Sequence, residues 1–162
     1  MIDQLYLDRL RSAEPVTATG RLRGFRIGVH GSLAEEELSD APLELPRFDY
    51  GRGAGRCYRY VYGAGNAVAG DFLDSLVKLD FEHRTASFWH EEGCYPGEPV
   101  FVEKPGAAQE DGGVILSVVL DTRTEASFLL FSTQRPSKKM ARAKAPHHIP
   151  FGFHGSYLRD IQ

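Results

Sequence analysis

Short runs of apolar residues, each bounded by turn-forming residues, recur along most of the chain and predict β-strands. Two predicted hairpins are the clearest, one pairing residues 73–81 with 85–89 and the other pairing 114–120 with 126–131. Residues 20–29 alternate charged and apolar side chains, as a strand with one solvent-facing side does. The dominant pattern is therefore that of antiparallel strands joined by short turns.

The remaining segments extend this pattern. Further strands are predicted at 43–49, 56–62 and 100–102, whereas loops or exposed segments are predicted for the acidic run 35–42, the glycine- and alanine-rich run 63–70 and the basic run 132–145. About eight to ten short strands without a convincing helix indicate an all-β protein. Both a sandwich and a propeller fit this succession of hairpins.

Composition narrows the class of protein. A chain of 162 residues suits one domain, and its 19 basic and 22 acidic residues give no electrostatic reason to expect a nucleic-acid partner. Cys57 and Cys94 are far apart and indicate neither a disulfide framework nor a zinc motif, so we expect a reduced, cytoplasmic protein. No apolar run reaches the ~18 residues of a transmembrane helix, and we expect neither a membrane span nor a secretory leader.

The first candidate for chemistry is the turn at residues 150–155. His154 lies here among Phe151, Phe153 and two glycines. We expect the two aromatic rings to be buried and the glycines to allow close backbone approaches, so that the imidazole lies in a dry and constrained place. Two interpretations are open. The imidazole is packed and satisfies an internal hydrogen bond, or it binds a metal ion, since neutral imidazole is the commonest metal ligand in proteins.

Two glutamates are candidates for supporting such a histidine. Glu44 lies between two leucines, and it either pairs with Arg47 at the surface or is buried and accepts the second ring N–H of a metal-bound histidine. Glu98 lies between a Pro-Gly pair and a further proline, which hold its backbone rigid before an apolar strand. It is either a solvated turn residue or a functional carboxylate on a rigid loop.

The other histidines match no tight ligand spacing. His83 and His90, with the neighbouring Glu91 and Glu92, form no HExxH or similar motif, and we assign them to the surface. His30 stands beside a glycine and is assigned to a turn. No GxSxG, P-loop or GxGxxG sequence is present to indicate a hydrolase or a nucleotide site.

Three segments resemble, in the same order, segments of the carotenoid cleavage oxygenases. They are residues 43–49 (LELPRFD), 95–102 (YPGEPVFV) and 150–155 (PFGFHG). Similar sequence also occurs outside these segments, at residues 6–11, 58–63, 105–107 and 110–112, so the resemblance covers nearly the whole chain.

The resemblance implies a seven-bladed β-propeller whose axis holds a non-haem Fe(2+) ion, bound by four histidines that are braced by glutamates. By position within the motifs, His154 matches the last iron ligand, and Glu44 and Glu98 match two of the bracing carboxylates. The implied reaction is cleavage by O2 of a conjugated double bond in an apolar polyene or stilbene, with a carotenoid, apocarotenoid or stilbene as substrate and two carbonyl compounds as products.

The resemblance further implies that the other three iron ligands belong to N-terminal blades that precede the matching residues. We therefore expect a single propeller fragment over residues 1–162, with a connector at 1–18 and about the last three blades at 19–162. One imidazole holds a divalent ion poorly, so this chain is expected to be inactive alone. The alternative is a non-enzymatic β-domain that binds an apolar ligand or a protein partner through surfaces that the missing blades would cover. The histidines that match no iron ligand are His30, His83, His90, His147 and His148.

Overall fold

Strands make up most of the regular structure in the computed structural model, which describes residues 6–12, 15, 20–67, 72–133 and 139–158. Within these residues, eleven strands form three antiparallel sheets beside two one-turn helices. The strands are β1 (Arg21–Ile27), β2 (Leu33–Pro42), β3 (Glu44–Arg47), β4 (Tyr60–Gly65), β5 (Ser75–Asp80), β6 (Thr85–His90), β7 (Cys94–Pro96), β8 (Val100–Glu103), β9 (Gly113–Asp121), β10 (Ala126–Thr133) and β11 (Lys139–Lys144). The helices are α1 (Leu7–Leu10) and α2 (Tyr50–Gly53). The all-β prediction is confirmed, and no helix among the described residues is long and apolar enough to cross a bilayer.

Strands β1 and β2 form a two-stranded ribbon. Strand β1 confirms the prediction made from its alternating pattern, but the acidic loop predicted at 35–42 is wrong, because these residues belong to β2. Glu37 and Glu35 of β2 form ion pairs with Arg21 and Arg23 of β1. Opposite charges on facing strands favour pairing, so an acidic run forms a strand here because its partner strand is basic.

The middle sheet has the order β3-β4-β5-β6, and its last two strands confirm the first predicted hairpin. The loop predicted at 63–70 is wrong in its first part, because β4 continues through Gly65. The chain is extended and buried at this point, and any side chain on Gly63 would collide with the side chain of Leu43. The glycines therefore serve close packing of β4 rather than a turn. Residues 68–70 of the predicted loop lie outside the described part of the chain.

The third sheet has the order β11-β10-β9, and both β7 and β8 pair with the other edge of β9. Strands β9 and β10 confirm the second predicted hairpin. The prediction of an exposed basic segment at 132–145 misses a strand, because β11 pairs with β10 inside this range; residues 134–138 are outside the described part. Residues 97–99 separate β7 from β8, so the edge strand beside β9 is broken once.

Two apolar clusters cover the two faces of the middle sheet. One packs it against the third sheet and consists of Tyr62, Leu76, Trp89, Cys94, Ile115, Val119, Phe128 and Leu130. The other lies on the side of the β1–β2 ribbon and consists of Ala41, Leu43, Val61, Val77 and Leu79, with Leu22, Phe48 and Phe81 packed against them. The three sheets therefore pack against one another in chain order.

An ion-pair network closes the turn between β5 and β6. Arg59 donates from Nε to Oδ1 of Asp80 at 2.8 Å and from Nη2 to Oδ2 at 2.7 Å, and Nδ1 of His83 lies 3.0 Å from Oδ2. The hydrogen bonds from Arg59 hold the pKa of Asp80 well below its usual range, although partial burial acts in the opposite direction. Because this pKa is depressed in the folded chain, the carboxylate stabilises the fold above about pH 4, the ordinary pKa of aspartate, and that contribution is lost as the pH falls further.

We therefore expect Asp80→Asn to lower the free energy of unfolding at neutral pH, and the gap from the native chain to narrow below about pH 4. Urea unfolding at about pH 7, 4 and 3, followed by the fluorescence of the single tryptophan, measures this gap. A gap of constant size across the three conditions would contradict the role assigned to Asp80.

Candidate functional site

The break between β7 and β8 positions Glu98. Strands β7 and β8 both pair with β9, and Gly97, Glu98 and Pro99 leave the ladder between them. Gly97 stays in contact with β9, since its N–H donates to the Val118 carbonyl at 2.8 Å and its carbonyl accepts from Ser117 Oγ at 2.9 Å. An irregularity in an edge strand re-aims the side chain that it carries, and here it directs Glu98 toward the C-terminal residues.

Residues 149–158, here named the C-terminal segment, lie over the third sheet. The segment is attached to β10 at its start, where the Ser127 hydroxyl accepts the N–H of Ile149 at 2.8 Å and donates to its carbonyl at 3.3 Å. Phe151 then packs edge-on against Tyr95 of β7, with ring centroids 6.2 Å apart. These contacts carry the segment across the sheet from β10 toward the break that holds Glu98.

Glu98 is surrounded by donors from the C-terminal segment and from β3. Its Oε1 lies 3.1 Å from Nδ1 of His154, and its Oε2 accepts the N–H of Gly155 at 2.8 Å. Arg47 places Nε 3.0 Å from Oε1 and donates from Nη2 to Oε2 at 3.1 Å. Burial, with only 5% of the side chain exposed, would raise the pKa of Glu98. The hydrogen bonds from Gly155, His154 and Arg47 outweigh burial, and the pKa lies below its ordinary value.

An ionised Glu98 fixes the tautomer of a neutral His154. A carboxylate only accepts hydrogen bonds, so the single ring proton must lie on Nδ1, which leaves the lone pair of Nε2 on the far side of the ring. The His154 side chain is 62% exposed, so this second nitrogen is accessible to a ligand. Outer carboxylates orient metal-bound histidines in this way.

The surroundings of His154 differ from the sequence prediction. Phe151 and Phe153 are 51% and 73% exposed, so the expectation of a dry site built from two buried rings is wrong for this chain. A side chain at Gly152 would meet open space, and one at Gly155 would make an ordinary contact at 3.9 Å, so neither glycine is required for close approach. Because the C-terminal segment lies over the outside of the third sheet, its outward side chains meet solvent.

A cavity of about 320 Å³ lies between the C-terminal segment and the third sheet. Its apolar lining comes from Tyr95, Val100, Leu116, Val118, Leu120, Leu129 and Phe151. Glu98 and His154 also line it, so the polar pair lies at the edge of an apolar space. A cavity with such a lining suits part of an apolar ligand.

The structure separates the two proposed glutamates. Glu44 stands at the start of β3, paired with Ala64 of β4, and its carboxylate lies against Gly20. Among the described residues Glu44 forms no ion pair with a histidine, so its role stays a prediction. The pairing of Arg47 with Glu44 that the surface interpretation expects is wrong, because Arg47 pairs with Glu98. Arg47 is thus the site residue that sequence reasoning missed.

The other histidines lie apart from the Glu98–His154 pair. His30, His83, His90, His147 and His148 are all exposed, which confirms the surface and turn assignments made for the first three. Across residues 6–12, 15, 20–67, 72–133 and 139–158, no group of three or more His, Cys, Asp and Glu side chains could hold a metal ion. The described chain therefore supplies one oriented imidazole and no complete ligand set.

Known proteins are similar to most of this chain. The mitochondrial carotenoid-cleaving dioxygenase of Mustela putorius furo is 41% identical over 143 residues, which is 87% of this chain and 25% of that protein. The chloroplastic carotenoid cleavage dioxygenase 8 homolog B of Oryza sativa subsp. japonica is 36% identical over 166 residues, which is 95% of this chain and 28% of that protein. The chain thus spans about a quarter of the length of these curated relatives.

Solved structures are similar to the described sheets. A crystal structure of an ACO/RPE65 chimera matches with a TM-score of 0.81 and 28% identity, covering 88% of this chain and 31% of that chain. Cobalt-substituted Synechocystis ACO matches with a TM-score of 0.81 and 27% identity over the same shares of the two chains. These structures are β-propellers, so the all-β fold of this chain is similar to a known β-propeller architecture.

The match at the level of the family extends over almost the full sequence. The family model described as retinal pigment epithelial membrane protein covers residues 1–159 of the 162. The two relatives described above are carotenoid-cleaving dioxygenases, in agreement with the resemblance of the three motif segments. The chain therefore belongs to the retinal pigment epithelial membrane protein family, that is, to the carotenoid cleavage oxygenases.

Proposed function

We propose that this chain is the C-terminal part of a non-haem Fe(2+)-dependent dioxygenase that cleaves a conjugated double bond of a carotenoid, apocarotenoid or stilbene to carbonyl products. One observation carries the proposal: Glu98 holds His154 through Nδ1 and leaves Nε2 open. The carotenoid-cleaving relatives supply the class of reaction.

His154 fits one ligand position of such a metal centre. An imidazole nitrogen suits Fe(2+), and a carboxylate on the opposite ring nitrogen raises the basicity of the ligand. When bound, the ion would activate O2 for attack on the conjugated double bond. The part played by this chain is to hold the imidazole in one tautomer and to keep it at the edge of the apolar cavity.

The remaining ligands are proposed to come from N-terminal blades of the complete enzyme. The three packed sheets would then be about three blades of the seven-bladed propeller implied by the family resemblance. Glu44 is proposed to hold one of those other histidines, as Glu98 holds His154. Glu44 lies on β3 with Arg47, which contacts Glu98, so β3 leads to the site. With one imidazole only, the 162-residue chain is expected to be inactive alone.

The apolar cavity supports a polyene or stilbene substrate. Its lining is dominated by aliphatic and aromatic side chains, and its ionisable groups include Glu98 and His154. An extended apolar molecule would gain free energy by leaving water here, while its conjugated bond approaches the metal-binding edge. O2 is the second substrate in this proposal.

A second candidate is a non-enzymatic β-domain that binds an apolar ligand or a protein partner. It is favoured by the β1–β2 ribbon, where Phe25, Ile27 and Leu33 are 60%, 76% and 65% exposed. Exposed apolar side chains on a two-stranded ribbon mark a surface suited to burial against another molecule. Under the first proposal, the N-terminal blades of the complete enzyme would cover this surface.

The proposed function is tested by placing the chain behind the N-terminal three quarters of a carotenoid-cleaving relative, here named the fusion enzyme. We expect the fusion enzyme to contain stoichiometric iron and to cleave an apocarotenoid, and the 162-residue chain alone to do neither. Iron analysis and product chromatography measure both. A folded fusion enzyme without iron or cleavage would contradict the proposed function, and an active isolated chain would contradict the requirement for further blades.

A further inference from the structure

The guanidinium group of Arg47 joins three parts of the chain that are distant in sequence. Arg47 ends β3, and it contacts both carboxylate oxygens of Glu98, which is 51 residues away. Its Nη2 also donates to the carbonyl of Gly155, which is 108 residues away. One side chain thus ties the middle sheet to the broken edge of the third sheet and to the C-terminal segment.

Gly155 is held through both of its backbone groups. Its N–H donates to Oε2 of Glu98 at 2.8 Å, and its carbonyl accepts from Arg47. Because Arg47 also binds Glu98, the three residues form a closed ring of contacts next to His154. A closed ring resists rotation of any one member, so it fixes the backbone immediately after the imidazole.

The orientation of Glu98 depends on such contacts, because the last torsion of a glutamate has a broad preference. His154 and the N–H of Gly155 each use one oxygen of Glu98, and rotation of the carboxylate would weaken both hydrogen bonds together. A planar guanidinium can face both oxygens of a carboxylate, and Arg47 does so through one hydrogen bond from Nη2 to Oε2 and one ion-pair contact from Nε to Oε1, whereas a lysine ammonium is a single point charge. Arg47 is therefore suited to setting the plane of the Glu98 carboxylate.

We propose that Arg47 is a positioning residue for the His154 ligand, because it sets the plane of the Glu98 carboxylate and of the Gly155 peptide and thereby the direction of Nε2. The consequence for metal binding rests on the proposed function. The contacts themselves are present in this chain and are testable without metal.

The first test uses the metal-free 162-residue chain and amide hydrogen exchange measured by NMR. We expect Arg47→Gln to accelerate exchange at the Gly155 amide by about tenfold, since the hydrogen-bonded ring is opened. Arg47→Lys keeps the charge without the fork and should give an intermediate rate. Exchange at Gly155 that is unchanged in Arg47→Gln, or a wild-type rate in Arg47→Lys, would overturn the proposal.

Arg52→Gln is the matched control. Arg52 also joins a carboxylate to backbone carbonyls, since it donates to Oε1 of Glu103 and to the carbonyls of Ala107 and Ala108, and those contacts lie outside the C-terminal segment. Arg52→Gln removes one positive charge, as Arg47→Gln does. We expect amide exchange at Gly155 to stay at the wild-type rate in this variant. Equal acceleration by Arg52→Gln would mean a general loss of stability and would overturn the specific role of Arg47.

The second test uses the fusion enzyme and the dissociation constant of Fe(2+). We expect Arg47→Gln to weaken iron binding by roughly tenfold and Glu98→Gln by roughly 10- to 100-fold, the range for loss of outer partners of a metal ligand. Faster exchange with unchanged iron affinity in Arg47→Gln would overturn the positioning role and leave the proposed function standing. Iron affinity that is insensitive to Arg47→Gln, Glu98→Gln and His154→Ala alike would overturn the proposed function instead.

Discussion

Replacing His154 by alanine in the fusion enzyme is expected to remove bound iron and cleavage activity together. In the proposed site the imidazole held by Glu98 is the metal ligand of this chain, and alanine offers no ligand atom. Loss of the ligand should weaken iron binding by more than the roughly 10- to 100-fold that follows loss of an outer partner. Metal analysis after dialysis, together with an apocarotenoid cleavage assay, measures both effects.

His90→Ala is the matched control for this prediction. His90 is also an exposed histidine, and its Nδ1 lies 3.1 Å from the carbonyl oxygen of Asp74. It has no contact with Glu98 among the described residues. We expect iron content and cleavage to be unchanged in this variant. Full iron content in His154→Ala would remove His154 from the metal site and favour the interpretation of a hydrogen-bonded surface imidazole.

The two central hairpins could be predicted because three of their four strands, β5, β9 and β10, are largely buried or half-buried on both faces, whereas β6 buries only Trp89. In β9, Ile115 and Val119 are buried in the core, while Leu116 and Val118 line the cavity under the C-terminal segment. A strand with two apolar faces appears in the sequence as a continuous apolar run bounded by turn residues. The local sequence pattern is sufficient to predict such strands, because the residues that become buried are the apolar residues of the strand itself.

Strands β2 and β11 could not be predicted from their own residues, because their pairing depends on a partner strand. The acidic residues of β2 are stabilised by Arg21 and Arg23 across the ribbon, and the basic strand Lys139–Lys144 pairs with β10 at the edge of its sheet. Charged edge strands are common because they discourage further pairing. A charged run therefore indicates solvent exposure without deciding between strand and loop.

The candidate site could likewise not be predicted from local sequence alone, because its residues are distant from one another along the chain. Residue chemistry alone leaves two interpretations for His154 and for Glu98. The family resemblance predicts that they belong to one site, and Nδ1 of His154 lies 3.1 Å from Oε1 of Glu98. Arg47 pairs with Glu98 and not with Glu44, although Glu44 is its neighbour on the same strand. Leu45 has a positive φ of 52°, a conformation uncommon for leucine, and the strand register shifts there. Spacing along an irregular strand does not give the direction of its side chains.

The largest stability effect is expected at a buried ion pair between β5 and the loop that precedes β9. Nζ of Lys78 lies 2.5 Å from Oδ2 of Asp111 and 3.9 Å from the centre of the Tyr60 ring, and both charged residues are 9% exposed. The pair joins the middle sheet to a loop of the third sheet. A buried ion pair contributes little net stability, but removal of one partner leaves a charge in a poorly hydrated place.

Lys78→Met is therefore expected to lower the free energy of unfolding by about 3–5 kcal/mol. Urea unfolding followed by the fluorescence of Trp89, which is 5% exposed in the core between the middle and third sheets, measures this loss. As a control, Arg21→Met removes an ion pair whose side chains are 51% and 41% exposed, and it should cost less than about 1 kcal/mol.

The double variant Lys78→Met/Asp111→Leu separates the two sources of this loss. If the cost of Lys78→Met comes from the uncompensated carboxylate, removing that carboxylate as well should restore stability to within about 1 kcal/mol of the native chain, because apolar replacement of a buried pair is often neutral. If the cost comes instead from lost packing of the lysine stem on Tyr60, the double variant should be at least as unstable as the single one. The interaction free energy from the full double-mutant cycle decides between these outcomes, and a value near zero would contradict coupling between Lys78 and Asp111.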